Sequence, residues 1–389
     1  MKRVLVLMLV GVLAIAGLAL LAGCGSSTTT TAATTATTVA PTTTAPPATS
    51  ATTAPPATTA TTAGVVLPKI DPPVTVNLAF DDAPGTAGLI LADQLGYFKE
   101  VGININWVKF NSGADMYTAL AANKVDVGRG IVDAGEFNGA AQGVHVWIVA
   151  DSGTNVPGKP AYFTLVMAKS QEGKINTYSD LKGKKCIIAS KGSINELFLA
   201  RALAKANLKL TDVTEVIIDS FPDINTALGN GAGDVGMQIE SLITAGVDQG
   251  IIVRFPKDAQ DFAPNEQVAC LLYSDSFAKN KAVADAFMVA HLMGVRAYND
   301  SIVQGNKDQA KIVDILTKKT FITDAAMWTK MAPTGVNPDG TVLSDAVSLD
   351  QDFYAGLGLV PTKVAMTAVI DQTFAQDAVK ILGPYAPPK

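Results

Sequence analysis

Hydrophobic and polar positions divide the chain into three parts. An uncharged apolar run extends from Val4 to Ala22, and residues 25–64 consist almost entirely of Thr, Ala, Pro, Ser and Gly, without a charge or an aromatic side chain. From Val74 onward, short strand-like apolar runs alternate with segments of helical pattern. This order predicts an export signal, a segment that cannot build a core, and an α/β body with parallel sheets.

The N-terminal apolar run follows two basic residues and ends in small residues directly before Cys24. A secretory signal that ends in this way resembles a bacterial lipobox. We therefore expect a lipoprotein signal peptide over residues 1–23, a lipid on Cys24, a disordered linker over residues 24–73, and an extracytoplasmic, membrane-anchored location. The run is also long enough to span a bilayer, so an uncleaved anchor with an incidental cysteine is the alternative.

The body contains an internal repeat. Residues 89–128 and 197–236 share 13 identities in 40 positions at a constant offset of 108, including Asp126-Val127-Gly128 and Asp234-Val235-Gly236. Each copy has the pattern helix, strand, helix, strand. The repeat predicts two similar lobes.

Three helices of these lobes begin with a capping box, an oxygen-bearing residue three positions before a carboxylate. They are Ser112 with Asp115, Asp133 with Glu136, and Ser193 with Glu196. Each box follows a short apolar strand, so the helix N-termini are expected at the carboxyl ends of parallel strands, where open α/β sheets bind ligands. Two facing lobes would line a shared cleft with these termini. The alternative is that the caps only satisfy backbone donors.

Composition argues against several function classes. The net charge is −5 and the body has no Lys/Arg-rich run, so nucleic acid is not an expected partner. His145 and His291 are the only histidines, and both lie in apolar segments, which favours structural roles. No metal-ligand spacing or phosphate loop is present, so we expect no catalytic residue, metal or cofactor. Export would permit a disulfide between Cys186 and Cys270, although two buried free thiols are favoured.

The run from Leu78 to Ala150 resembles the solute-binding proteins of ABC importers for nitrate, sulfonates, taurine and thiamine-precursor pyrimidines, and the second lobe continues the similarity. The segments that carry it are Leu89-Ile90-Leu91-Ala92, Leu95-Gly96-Tyr97-Phe98-Lys99-Glu100-Val101-Gly102-Ile103, Asp126-Val127-Gly128, Ala140-Ala141-Gln142-Gly143-Val144, Leu181-Lys182-Gly183-Lys184-Lys185 and Gly233-Asp234-Val235-Gly236. No single motif is diagnostic, but the ordered set is.

The resemblance implies a type II periplasmic binding protein fold. Its two α/β lobes would each be a parallel-dominated sheet flanked by helices, joined by two hinge strands near Pro160–Lys169 and Gln267–Ser274. Lobe I would comprise residues 74–158 and 264–389, and lobe II residues 159–263. The implied partners are a small solute, an ABC permease and an ATPase. A ligand-sensing receptor and, less favoured, a pyrimidine-precursor synthase-like enzyme on the same fold are the alternatives.

The ligand is expected between the lobes, at residues that follow the strands. The candidates are Asp81, Asp82, Thr86, Ser112, Arg129, Gly130, Asp133, Ser190, Gly192, Ser193, Ser220, Phe221, Gln238 and Glu240. Arg129 supplies a guanidinium where many members of the family have small residues, and Gln238 replaces an expected aromatic residue. These departures leave the solute open between sulfonate, taurine or nitrate types and pyrimidine types.

Each candidate also has a structural interpretation. Arg129 either binds an anionic group or forms a salt bridge at the rim of the cleft with Asp133 or Asp82. The carboxylates of Asp81, Asp82 and Glu240 either bind a polar ligand or belong to helix starts. Phe221 either stacks on a ligand ring or lies in the core.

Overall fold

The protein is described here by a computed structural model, which covers residues 65–80, 84–110, 113–306 and 308–388. Within these ranges no helix combines the length and apolar character that crossing a membrane requires. The predicted signal peptide, Cys24 and most of the predicted linker lie outside the described residues.

Two β-sheets organise the described part of the chain. The strands are β1 Val74–Phe80, β2 Ile103–Lys109, β3 Val127–Ile131, β4 Val146–Asn155, β5 Phe163–Ala168, β6 Lys185–Ile188, β7 Thr214–Ile217, β8 Val235–Ile239, β9 Ile252–Arg254, β10 Ala269–Ser274 and β11 Thr334–Gly335. One sheet has the order β2-β1-β3-β10-β4-β11 and forms lobe I; the other has the order β7-β6-β8-β5-β9 and forms lobe II.

Helices pack on both sheets. They are α1 Ala87–Gln94, α2 Tyr97–Glu100, α3 Gly113–Ala121, α4 Ala134–Ala141, α5 Ile194–Ala204, α6 Phe221–Gly229, α7 Leu242–Asp248, α8 Ala259–Phe262, α9 Asp275–Lys279, α10 Lys281–Tyr298, α11 Gln309–Lys319, α12 Ala325–Lys330, α13 Ser344–Gly356 and α14 Thr373–Leu382. Helix α10 crosses α1 closely: a Cβ atom on Gly294 would lie 2.2 Å from the carbonyl oxygen of Gly88.

The strand register confirms the internal repeat. Strands β1 and β2 are parallel with Asn77 opposite Asn106, and β6 and β7 are parallel with Lys185 opposite Thr214, the same pairing 108 residues later. The pairings of β1 with β3 and of β6 with β8 are related by the same offset. The repeat is therefore a repeat of structure, and each lobe contains the same parallel three-stranded unit.

One antiparallel strand lies inside each sheet. Strand β10 is antiparallel to both β3 and β4, and β5 is antiparallel to both β8 and β9, so β4 runs in the same direction as β1 to β3 and β9 in the same direction as β6 to β8. Both sheets are thus parallel-dominated, as expected, with β10 and β5 reversed. An apolar run shows that a strand is buried but not which way it runs, so the sequence could not reveal this.

The chain crosses between the lobes in irregular segments, residues 156–162 and 263–268, which overlap only the first residues of the apolar runs suggested from the sequence. Strand β5 pairs within lobe II and β10 lies between β3 and β4 in lobe I. Fully apolar strands need two buried faces, which a sheet interior provides and an exposed crossing does not. Two hydrogen bonds between the Asn155 side chain and the Phe163 backbone, both 3.2 Å long, fasten the two ends of the first crossing.

The folded body begins earlier than predicted. Leu67 and Ile70 pack against the core of lobe I, and the Ile70 amide donates to the Val101 carbonyl at 2.9 Å. Residues 67–73 therefore belong to lobe I, which corrects the predicted linker boundary at residue 73. Leu67 and Ile70 supply apolar surface that the Thr/Ala/Pro-rich stretch lacks, so they can be buried.

Candidate ligand-binding site

The lobes touch where two helices begin. The amide of Ala134, the first residue of α4, donates to the Gly192 carbonyl just before α5 at 3.0 Å. Asp133 and Ser193 form an isolated β-bridge beside this bond. The sequence placed these residues at the cleft from opposite lobes, and the structure brings them together.

The side chain of Asp133 caps α4. Its Oδ1 accepts from the Gly135 amide at 2.6 Å, and Glu136 Oε2 accepts from the Asp133 amide at 2.9 Å. This is the predicted capping box. Burial raises the pKa of both carboxyl groups. In this structure the Asp133 carboxylate is thus used to hold a helix start, as in the structural interpretation.

The start of α5 is held by a related but shifted arrangement. Ser193 Oγ accepts from the Asn195 amide at 3.3 Å and donates to the Ser190 carbonyl at 2.9 Å. Glu196 Oε2 accepts from the amide of Gly192 at 2.7 Å, one residue earlier than a capping box requires. Gly192 has φ of +65°, which places its amide within reach of Glu196 and favours glycine at this position.

Arg129 lies in the wall of lobe I. The residue is only 3% exposed, and its Nη2 donates to the Ser152 carbonyl at 3.2 Å. The guanidinium packs against Gly85, where a Cβ atom would lie 2.2 Å from Nη2. Thr86 and Gly130, two other predicted site residues, are buried next to these positions in the chain. A cation is therefore held inside the wall of lobe I and not at its rim.

A buried polar network lies behind this wall, and the sequence analysis missed it. Asp151 Oδ1 accepts from the Gly153 amide at 2.9 Å and from Gln267 Nε2 at 2.6 Å, while Oδ2 accepts from the Asn337 amide at 2.5 Å. Burial raises the pKa of Asp151 to about 6, and these hydrogen bonds and the Arg129 charge act in the opposite direction. The available signal was the polar run of residues 151–155, which directly follows the apolar residues 146–150.

Three candidates of lobe II form a structural unit. Gln238 is fully buried, and its Nε2 donates to the Phe221 carbonyl at 2.9 Å and to Asn225 Oδ1 at 3.0 Å. Phe221 packs against the core of lobe II. Ser220 precedes α6 without a side-chain capping bond. The side-chain amide of Gln238 thus holds the start of α6. Phe221 lies against the core, which agrees with its structural interpretation.

Glu240 lies at the edge of an interlobe cavity. Its Oε2 accepts from the Thr244 amide at 3.0 Å and from Thr244 Oγ1 at 2.8 Å, and its Oε1 pairs with Arg254. The Ala332 amide of lobe I donates to Oε1 at 3.4 Å. The cavity measures about 540 Å³ and is also lined by Lys159, Trp328, Lys330 and Met331. Its volume is in the range of small-molecule sites.

Asp81, Asp82 and Ser112 lie outside the described residues, so the structure does not place them. The two histidines lie away from the cleft. His145 precedes β4 and stacks on Trp147, with Nδ1 3.1 Å from the Ala368 carbonyl oxygen. His291 is buried in α10, and burial lowers its pKa to about 3. Cys186 and Cys270 are buried free thiols in different sheets.

Comparison with known proteins identifies relatives of this chain. An aliphatic sulfonates-binding protein of Escherichia coli (strain K12) is 25% identical over 285 residues, which cover 72% of this chain and 84% of that protein. The crystal structure of the periplasmic aliphatic sulphonate-binding protein of Escherichia coli has a TM-score of 0.58 at 25% identity, over 78% of this chain and 99% of that one.

A third protein shares the fold alone. The periplasmic nitrate-binding protein of Synechocystis PCC 6803 has a TM-score of 0.65 at 12% identity, over 80% of this chain and 89% of that one. The predicted resemblance and fold class are thus confirmed, and the relatives are solute-binding proteins. The sequence matches the model of the NMT1/THI5-like family over residues 83–300, more than half of the chain. The chain therefore belongs to the NMT1/THI5-like family.

Proposed function

We propose that this protein is the extracytoplasmic solute-binding component of an ABC importer and that it traps a small anionic organic solute between its lobes. The observation that carries the proposal is the guanidinium of Arg129, buried in the wall of lobe I against Gly85. Arginine presents a planar fork of donors that matches the oxygens of a sulfonate or carboxylate. The names of the aliphatic sulfonate-binding and nitrate-binding relatives support an oxyanion.

The two-lobed architecture supports a trapping mechanism. Two separate crossings join the lobes, and α4 and α5 meet at their N-termini. Hinge motion of such lobes admits a solute when they separate and removes it from water when they close. Closure lowers the local dielectric constant, which strengthens the attraction between the guanidinium and an anion.

A thermal-shift screen of the full chain tests the proposal. The panel contains taurine, alkanesulfonates, nitrate, pyrimidines, riboflavin and polyamines. A bound solute at 100 times its dissociation constant adds about 2.7 kcal/mol of apparent stability, and we expect this effect from a sulfonate. Arg129→Lys keeps the charge but loses the fork, so it should weaken the effect. Stabilisation by none of these compounds would exclude the proposed solute class.

We further propose that a lipid on Cys24 anchors the protein on the outer face of the cytoplasmic membrane or in the periplasm, next to its permease and ATPase. The lipobox-like sequence that ends at Cys24 supports this location. Metabolic labelling with radioactive palmitate should label the native chain and not the Cys24→Ser variant. Equal labelling of both chains, or of neither, would contradict the anchor.

A further inference from the structure

Three charged side chains meet at the lobe boundary. Arg201 of α5 belongs to lobe II, Asp350 of α13 packs with lobe I, and Glu266 lies in the second crossing. Arg201 Nη1 pairs with Glu266 Oε2, and Nη2 lies 3.4 Å from Asp350 Oδ1. We refer to Arg201, Glu266 and Asp350 as the Arg201 cluster.

The Arg201 cluster contains two buried carboxyl groups and one cation. The side chains of Glu266 and Asp350 are 1% and 0% exposed, and that of Arg201 is 24% exposed. Glu266 Oε1 and Asp350 Oδ2 are buried without a hydrogen-bond partner among the described residues. A buried carboxylate oxygen without a donor is unfavourable, and a proton on the carboxyl group would relieve this.

Within the part of the chain that the structure describes, the neighbouring groups provide no second cation. Tyr354, one turn after Asp350, donates its hydroxyl to the Val132 carbonyl at 3.1 Å. The thiol of Cys270 on β10 and the carboxyl groups of Asp133 and Glu136 on α4 are the other titratable groups that interact with the cluster or with Tyr354. Among the described residues, the charge that opposes protonation of Asp350 is thus that of Arg201.

We propose that the Arg201 cluster is a proton-linked latch: Asp350, buried with its Oδ2 unpaired among the described residues, holds a proton when the lobes are closed and releases it when α5 separates from α13. The proposal requires hinge motion but not a particular solute, so it can be tested without one. It couples the capture and release of a solute to external pH.

The sign of the coupling follows from the two environments. In the closed form, burial raises the pKa of Asp350 to about 7. In the open form the carboxyl group returns to water, where an aspartate has a pKa of about 4. Closure therefore takes up a proton between about pH 4 and pH 7. Within this window the opening equilibrium should rise by roughly tenfold per pH unit, and above pH 7 it should be constant.

The amide of Ala134 reports this opening directly. It is the first amide of α4, and its partner is the Gly192 carbonyl of the other lobe, so lobe separation exposes it to hydrogen exchange. Exchange of the full chain, without solute, is measured from pH 5 to pH 8.5 with fragmentation that resolves single amides. The rates are corrected for the intrinsic pH dependence of exchange.

We expect the corrected exchange rate of Ala134 in the native chain to rise by more than tenfold from pH 5 to pH 7 and then to level off. Asp350→Asn and Asp350→Leu each replace the titrating acid by a neutral group, so both should keep the slow rate at every pH. Asp352→Asn is the matched control, because Asp352 lies on the same helix in an exposed pair with Lys363, and it should behave like the native chain.

Two results would overturn the latch. One is a corrected rate in the native chain that does not change between pH 5 and pH 7. The other is a native-like pH dependence in both Asp350→Asn and Asp350→Leu. Two variants are used so that misfolding of one does not remove the test. Failure of the solute screen together with a pH-dependent Ala134 rate would reject the proposed solute and retain the latch.

Discussion

The guanidinium of Arg129 is close enough to Gly85 that any side chain at residue 85 would displace it. Two other predicted site residues use their side chains within the fold. Asp133 caps a helix and Gln238 fixes the start of α6, and the hydrogen bonds of both side chains lie within their own lobes. At the scale of single residues, the proposed binding of an anion thus depends on Arg129.

Gly85→Ala tests whether solute binding depends on the position of the Arg129 guanidinium. The new Cβ atom would lie 2.2 Å from Nη2 and 2.7 Å from Cζ of Arg129, so the guanidinium must move. We expect a loss of solute affinity of at least tenfold, measured by calorimetry, and destabilisation of about 1–3 kcal/mol from overpacking. Gly356→Ala is the control, because a Cβ atom there meets nothing within 4 Å. Unchanged affinity in Gly85→Ala would show that the guanidinium does not bind the solute.

Local chemistry could be predicted from the sequence where the partners are near in the chain. The capping box of Asp133 and Glu136 involves residues three positions apart and was found correctly. The bond between Asp151 and Gln267 joins residues 116 positions apart, and no local pattern indicates such a pair. The family resemblance suggests Gln238, in β8, as a cleft residue, but its side chain hydrogen-bonds within lobe II.

Elements related by the repeat also share their stabilising contacts. Asp126 Oδ2 accepts from the Asn77 amide at 2.8 Å, and Asp234 Oδ2 accepts from the Lys185 amide at 2.8 Å, 108 residues later. Both aspartates immediately precede the third strand of their lobe and tie it to the first. The identical Asp-Val-Gly sequences thus preserve one structural role in both lobes.

Alanine substitution at either aspartate should have a similar effect. Each change leaves the amide of a neighbouring strand without its acceptor, which costs about 1–3 kcal/mol, and partial exposure places the expected loss near the lower end. Chemical denaturation of Asp126→Ala and Asp234→Ala measures it. Asp314→Ala, which removes an exposed pair with Lys318, should change stability by less than about 0.5 kcal/mol. A large loss in one variant and none in the other would contradict the shared role.

At the scale of the whole molecule, two lobes of the same parallel unit face each other across a boundary that is partly polar. Ile131 of lobe I packs against the core of lobe II, and Phe353 of α13 packs against the cores of both lobes. The Arg201 cluster and the bond between Ala134 and Gly192 lie on the same boundary. Contacts of this kind can be made and broken as a unit, which suits a hinged trap.

The two-lobed fold could be predicted because the repeat and the ordered family motifs extend over most of the body. The exact position of the crossings could not be predicted. An apolar run shows that a strand is buried, but it does not show in which direction the strand runs or where the chain leaves a lobe. The Arg201 cluster was not predicted either. Its members come from three separate parts of the chain. The sequence of α5, which contains Arg201, has no pattern that indicates an ion cluster.

Isothermal titration calorimetry of the full chain tests the central claim most directly, that Arg129 holds a small anion between the lobes. The titrant is the compound that stabilises the chain in the thermal screen. We predict one bound solute per chain and an affinity that Arg129→Ala lowers by at least tenfold, about 1.4 kcal/mol. Lys318→Ala, an exposed change, should leave the affinity unchanged. Native affinity in Arg129→Ala would contradict the account.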